Sequence, residues 1–411
     1  RLQAGHVAAS AKHFIGDGGT AGGVDQGDTL ADEATLIARH AQGYVGAIEA
    51  GTLTVMASYS SWRGQKMHGN RALLTDVLKQ RMGFQGFVIG DYDAHAHLPG
   101  CRSGDCPAAI NAGVDMYMAP EGWRELFHNL AAEVRDGRVA PARLDDAVRR
   151  ILRVKFALGM FDAARPYEGR LELLADPAHR ALAREAVRKS LVLLKNDGAL
   201  PLRAGARVVV TGPGADSVPM QCGGWSVTWQ GIETTNADYP GAQTLRQALA
   251  AALAPGGGQV SEDVALEGGQ RPDAAVVVFG EPPYAEMHGD LQFALYNVGN
   301  PLRVLRKYHD AGIPTVAVFL SGRPLWARPE IDAANAFVAA WLPGTEAGGI
   351  ADVLVGDAAG QPRQDFSGTL SFAWPNGAEP PPARQAPTDT WPLGYGLRYA
   401  RGAIAPAGSK Q

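Results

Sequence analysis

Gly86-Phe87-Val88-Ile89-Gly90-Asp91-Tyr92-Asp93 is the stretch on which the reading of the fold turns. A short apolar run bounded by turn residues has the pattern of a buried parallel strand. Asp91 stands where that run stops. A carboxylate at the end of a parallel strand projects into the loop region above the sheet, where β/α proteins collect functional side chains. The plainer alternative is that Asp91 caps the following helix.

Working outward, the first 160 or so residues alternate strand and helix patterns. Val7–Phe14 is strand-like and runs into the glycine-rich loop Gly16-Asp17-Gly18-Gly19-Thr20. Ala31–Ala50 has helical periodicity, with Asp32 and Glu33 suited to a helix N-terminus. Leu53–Tyr59 is the next strand, Leu73–Met82 the next helix, Gly86–Gly90 the third strand and Ala112–Ala119 the fourth. Helices are expected near Glu121–Asp136 and Leu144–Leu158. This is β/α repetition with a parallel sheet. A closed (β/α)8 barrel needs eight strands and roughly 250 residues. With about four strands, the region is either a small open sheet or the back half of a barrel.

Phe161–Ala178 has the composition of a linker, and a second alternating region follows. A helix from about His179 leads into Leu191-Val192-Leu193-Leu194 and a turn at Asn196-Asp197-Gly198. Strands are expected at Ala206–Thr211, Ala274–Gly280, Pro314–Leu320 and Ala336–Trp341. Helices fall around Thr244–Leu253 and Pro301–Asp310. The pattern is that of a three-layer α/β/α sandwich. After Pro375 the chain is rich in Pro and Ala and reads as irregular apart from Trp391–Tyr399. The expected division is 1–160, a linker over 161–178, a second domain over 179–399 and a tail over 400–411.

The composition excludes several function classes. The chain has 411 residues, too many for one ordinary core, so two domains are expected. A net charge of −4 supplies no basic field for nucleic acid. No window has the uninterrupted apolar length of a membrane span. The first residue is Arg1 rather than Met, which leads to the expectation that the start of the gene product is absent and a signal peptide out of view. Cys101 and Cys106 lie in a Gly/Pro/Ser/Asp-rich loop, and their spacing leaves open both a small disulfide, hence an oxidising compartment, and two thiols. No Cys/His spacing matches a zinc site.

The polar residues at strand ends carry the chemistry. Lys12 and His13 close the first strand and could donate several hydrogen bonds to the hydroxyls of a polar ligand; taken singly, each also fits ordinary surface charge or a core histidine. The loop Gly16–Gly19 lacks the lysine and hydroxyl of a phosphate-binding loop, and Thr211-Gly212-Pro213-Gly214 has proline inside it, so both read as tight loops. Trp225 and Trp229 fall in a loop-like stretch, and exposed indole faces suit stacking on the apolar C–H faces of sugar rings. Gly280-Glu281-Pro282-Pro283-Tyr284-Ala285-Glu286-Met287-His288-Gly289-Asp290 follows a strand and carries two glutamates. An Asp on one domain and a Glu on a loop of the other could form the paired carboxylates of a glycosidase.

These motifs resemble the family three glycoside hydrolases, specifically the two-domain β-glucosidases and β-glucan exohydrolases. The resemblance rests on Lys12-His13-Phe14-Ile15-Gly16-Asp17-Gly18-Gly19-Thr20, the Gly86–Asp91 segment and Gly280–Glu286. It extends through Ser58-Tyr59-Ser60-Ser61-Trp62, Lys66-Met67-His68, Leu193-Leu194-Lys195-Asn196, Ser321-Gly322-Arg323-Pro324 and Trp341-Leu342-Pro343-Gly344-Thr345-Glu346, in the family's order. It implies an α/β chain made of the C-terminal half of a TIM-like (β/α)8 barrel followed by an α/β/α sandwich.

The resemblance further implies a retaining, exo-acting hydrolase that releases terminal β-D-glucose from β-glucosides or β-glucan oligosaccharides without a cofactor or metal, in the periplasm or outside the cell. Asp91 matches the nucleophile and Glu286 the general acid/base, with Glu281 as the fallback. Lys12 and His13 match residues that bind hydroxyls of the terminal sugar, and Met56 and Tyr59 line that pocket. Trp225 and Trp229 match the aromatic wall of the next subsite. Relatives often carry a tryptophan directly after the nucleophile, where this chain has Tyr92. Asp17 and Gly18 stand where the N-acetylglucosaminidase branch carries a histidine. A retaining pair implies carboxyl groups about 5 Å apart with sugar bound. The family's early barrel loops also supply an Asp and an Arg to the terminal sugar, and nothing before Lys12 matches them. The other classes to weigh are a catalytically impaired sugar-binding protein, separated by assay of β-glucoside hydrolysis, and a nucleotide-binding α/β protein, separated by a melting test with nucleotide.

Overall fold

The computed structural model describes residues 3, 7–162, 168–173, 176–263, 271–291, 294–377, 391–399 and 402–403. The chain divides into two compact units, Arg1–Arg170 and Leu171–Gln411. Residues 163–167 and 174–175 of the expected linker lie outside the described residues, as does the expected tail except for 402–403.

In the first unit, β1 (Ser10–Phe14), β2 (Thr54–Ala57), β3 (Phe87–Tyr92) and β4 (Met116–Met118) form a parallel sheet in the order β1-β2-β3-β4. Helical segments return the chain between neighbouring strands: Leu36–Ala41 and Gln42–Glu49, then Ala72–Arg81, then Pro107–Ala112. Sequential strand order with a helix after each strand is the construction of a barrel wall, and it brings every strand's C-terminal end to one edge. Val55, Ala57 and Val88 are buried against Phe14, Leu74, Leu78 and Val114. At the opposite edge Asp115 locks the unit: its Oδ2 accepts the Val88 N–H at 2.8 Å and its Oδ1 accepts Lys79 Nζ at 2.7 Å, with the Arg143 guanidinium on the same oxygen.

The strands differ from expectation at their ends. β1 begins at Ser10 rather than Val7. Ala112–Ala119 is not one strand: Pro107 at a helix N-terminus and the small residues after it form Pro107–Ala112, Gly113 breaks away at φ 126°, and only Met116–Met118 pairs. β3 continues through Asp91 and Tyr92, because Tyr92 still pairs with Met118. Asp91 therefore caps no helix; the short turn Ala94–His97 starts after Asp93, which sits at φ 48°. Cys101 and Cys106 are joined as a disulfide.

The second unit holds β5 (Val192–Asn196), β6 (Arg207–Thr211), β7 (Gln259–Ser261), β8 (Ala274–Gly280), β9 (Thr315–Leu320) and β10 (Ala336–Trp341). They form a six-stranded sheet in the order β7-β6-β8-β9-β10-β5. All neighbours are parallel except β5, which runs antiparallel to β10. Alternate residues leave a strand on opposite faces. Val276, Val278, Val316 and Val318 pack one way against Leu245, Leu249 and Leu354. Val277, Phe279, Phe319 and Phe337 pack the other way against Leu305, Ile331 and Trp374. Helices thus cover both faces, and the strands β8, β9 and β10 are almost wholly apolar because neither of their faces meets water.

Two strands of this sheet escape the sequence pattern. Leu191–Leu194, which continues a helical region, is followed into strand β5, and β7 is a short polar edge strand with no apolar alternation. The helices Val218–Cys222, Arg328–Ala333 and Gly348–Leu354 are too short to establish a period. Among the described residues, no helix is long and apolar enough to cross a membrane.

Candidate functional site

At the C-terminal edge of the first unit's sheet, β3 delivers Asp91 and β1 delivers Lys12 and His13. His13 lies between two carboxylates: its Nδ1 is 3.1 Å from Asp17 Oδ2 and its Nε2 is 3.8 Å from Asp91 Oδ2. The tight loop Gly16–Gly19 turns Asp17 back to that position, with Gly16 at φ 95°. Asp91 Oδ1 accepts the backbone N–H of Tyr92 at 2.7 Å, and the Asp91 backbone N–H is donated to His68 Nε2 at 2.8 Å. The carboxylate thus holds one backbone donor, with the His13 imidazole nearby, yet keeps about a fifth of its surface exposed, 21%, which leaves room for a reacting atom.

The neighbouring strand completes the edge. Met56 on β2 is in register with Ile89 on β3, and Tyr59 follows β2. The Tyr59 hydroxyl is 2.7 Å from His97 Nε2, and Lys66 Nζ stands 5.7 Å from the centre of its ring. Burial, reinforced by Asp91, Asp93 and Asp25, pushes the Tyr59 phenol above its ordinary range. It therefore stays a neutral hydrogen-bonding group. Lys12 and Tyr92 are exposed. The edge joins Asp91, His13, Asp17 and Tyr59 electrostatically, while Lys12 stands in solvent.

In the second unit, Glu286 lies in the loop after β8 and is gripped by the two tryptophans singled out in the sequence. Trp225 Nε1 donates to Glu286 Oε1 at 3.0 Å and Oε2 at 3.2 Å, and Trp229 Nε1 donates to Oε2 at 2.5 Å. The two rings are 6.4 Å apart and tilted by 54°. They remain open to solvent, at 71% and 44% of full exposure. Trp225 sits at φ 57° in a loop where Gly224 closely approaches the Tyr284 backbone, so that a Cβ there would lie 2.0 Å from the Tyr284 carbonyl oxygen. Buried Gln230 fastens the two segments together: its Nε2 donates to the Glu286 carbonyl at 3.1 Å and its Oε1 accepts the Ala285 N–H at 2.8 Å.

Glu281 is in a different state. It is buried, and its carboxylate accepts Ser321 Oγ at 2.7 Å and Arg323 Nη2 at 2.7 Å. A carboxylate saturated by a guanidinium and a hydroxyl is a structural group. Arg323 also lies 4.4 Å from the centre of the Tyr284 ring and bonds the Gly289 carbonyl, so Glu281 anchors the loop that bears Glu286.

Sequence reasoning passes over Asp17, His68, His97 and Gln230 as contributors. The contacts of His68, His97 and Gln230 join separate segments of the chain, and that of Asp17 with His13, four residues away, depends on the turn of the glycine loop. Among the described residues, no group of three or more His, Cys, Asp or Glu is arranged to hold a metal ion.

Comparison with known proteins gives a consistent picture. Residues 1–154 match the model for the glycosyl hydrolase family 3 N terminal domain, and residues 191–399 that for the glycosyl hydrolase family 3 C-terminal domain. The chain is 32% identical over 410 residues to a lysosomal beta glucosidase of Dictyostelium discoideum, a match covering 91% of this chain and 48% of that protein. It is 29% identical over 457 residues to a periplasmic beta-glucosidase of Salmonella typhimurium, covering 96% and 58%. A crystal structure of a mutant exo-1,3/1,4-beta-glucanase from a Pseudoalteromonas species superposes with a TM-score of 0.92 at 44% identity, covering 98% of this chain and 66% of that one. The chain therefore spans about half the length of the curated relatives it matches.

Proposed function

Because the chain belongs to glycosyl hydrolase family 3, we propose that it is a retaining, exo-acting β-glycoside hydrolase that frees terminal β-D-glucose from β-glucosides or β-glucan oligosaccharides. Asp91 attacks the anomeric carbon to form a covalent glycosyl-enzyme. Glu286 protonates the leaving oxygen and then, as the base, activates water to release the sugar. Lys12 and His13 hold hydroxyls of the terminal sugar, Met56 and Tyr59 line its pocket, and Tyr92, Trp225 and Trp229 offer aromatic surface to the next unit. Residues 1–160 contribute part of a (β/α)8 barrel, and 179–399 are the sandwich domain. The Cys101–Cys106 disulfide and the periplasmic relative support a periplasmic or secreted location.

The observation that carries this reading is the setting of Asp91. It is a partly open carboxylate at the end of the third parallel strand, with the His13 imidazole 3.8 Å from one oxygen and a backbone donor on the other. The backbone donor fixes the direction of the carboxylate. The test is hydrolysis of an aryl β-glucoside followed by NMR. The expected first product is β-glucose, and Asp91→Asn should abolish turnover with an unchanged melting temperature. α-Glucose as first product, or substantial activity in the Asn variant, would reject the mechanism. Sugar binding without any turnover would instead leave a carbohydrate-binding protein.

A further inference from the structure

We propose that His68 is a positioning residue for Asp91: by accepting the Asp91 backbone N–H it fixes the end of β3 and so the direction of the carboxylate. The inference rests on the reading of Asp91 as nucleophile. The pairing of β3 with β4 runs from Ile89–Met116 to Tyr92–Met118 with a register shift between. In that irregular stretch the Asp91 N–H is taken by His68 Nε2 at 2.8 Å. An amide left unpaired there would cost free energy, and a rotation of the peptide to find water would swing the side chain with it.

Three further features fit the imidazole to this task. Gly90 lets it approach, since a Cβ at that position would lie 3.3 Å from His68 Nε2 and 3.4 Å from Cδ2. The ring is 2% exposed, in the turn Met67–Gly69. That turn follows Lys66, whose Nζ donates to the carbonyls of Gln26 and Tyr59. Burial above all, and then His95, Lys66 and His97, hold the ring's pKa down to about 3, against the favourable backbone hydrogen bond at Ser58. The ring is therefore neutral, with its proton on Nδ1 and its Nε2 lone pair free to accept. Protonation would set N–H against N–H. His68 is buried and bonds the Asp91 amide, and so acts through Asp91.

A change in aim of about 1 Å can reduce a rate about 10²-fold. His68→Leu, which removes the acceptor, should lower kcat by about that factor with KM changed less than about threefold. His68→Gln, which restores an acceptor oxygen, should recover about tenfold of the loss. If His68→Leu does not fold, Gly90→Ala pushes the ring by a few tenths of an ångström and should give a smaller loss of the same kcat-selective kind. Labelling with an activated 2-deoxy-2-fluoro-β-glucoside and mapping of the labelled peptide separates the two assumptions. Label on a residue other than Asp91 overturns the nucleophile assignment and this inference with it. Label on Asp91 at an undiminished rate in His68→Leu or Gly90→Ala overturns the inference alone.

Discussion

Trp229 donates its indole N–H to Glu286 Oε2 at 2.5 Å, and Trp225 donates to the same carboxylate at 3.0 Å. The tryptophans that expose ring faces to solvent therefore also aim the carboxylate with their edges. Trp229→Phe keeps an aromatic face and removes the donor. A hydrogen bond contributes ~0.5–1.5 kcal/mol net, so a loss of up to about tenfold in kcat/KM is expected on a β-linked disaccharide. A dinitrophenyl β-glucoside departs without a proton, and its kcat/KM should fall less than about threefold. Equal losses on both substrates would show that the indole serves stacking rather than the acid.

Glu281 and Glu286 should respond in opposite ways to the same change. Glu281 is buried on Arg323 and Ser321, and removing one member of such a pair strands the other charge. Arg323 keeps 27% of its side chain exposed, which softens the penalty to roughly 2–3 kcal/mol. Glu281→Gln should lower the melting temperature by several degrees. Glu286→Gln should leave melting unchanged while turnover of poor leaving groups collapses. Calorimetry and initial rates on the two variants check this, and activity loss without destabilisation in Glu281→Gln would reopen the choice between the glutamates.

The parts of this molecule legible in the sequence are those whose signal is local. Val276–Phe279 and Val316–Phe319 announce strands because both sheet faces are dry, and apolar residues run unbroken. Asp91 is legible because a carboxylate interrupts such a run. β7 is illegible, since an edge strand can be polar, and β5 is illegible because Leu191–Leu194 has no period that tells strand from helix. His68 and Gln230 act on backbone groups of Asp91, Ala285 and Glu286 that are distant in the chain. Such bonds depend on the folded path, which carries no trace in spacing.

Asp115 should be the most sensitive position in the first unit. Its buried carboxylate takes Lys79 Nζ at 2.7 Å, the Arg143 guanidinium and the Val88 N–H, and so ties two helices to β3. Burial already pushes the Lys79 amine down to about 8 despite its partner. Asp115→Ala leaves two cations and an amide without their acceptor, and should cost about 3–5 kcal/mol or prevent folding. Chemical denaturation provides the measurement. A change of under about 1 kcal/mol would reduce the network to an incidental contact.

His68 should also write itself into the pH dependence of stability. Its pKa falls from 6.5 to about 3 on folding, chiefly through burial. Between those values the unfolded chain binds a proton that the folded chain refuses, so acid favours unfolding. The contribution is whole above 6.5 and declines as pH falls, by up to ~1.4 kcal/mol per pH unit, until it levels off near about 3. Carboxylates add slopes of their own, so the informative quantity is a difference. Urea unfolding between about pH 7 and about pH 5 should be flatter for His68→Gln than for the parent, by as much as one proton. Raising the pH within that window should stabilise the parent more than the variant. Parallel slopes would mean that the imidazole takes up its proton in the folded state as readily as in water, and that its bond to the Asp91 amide does not depend on a neutral ring.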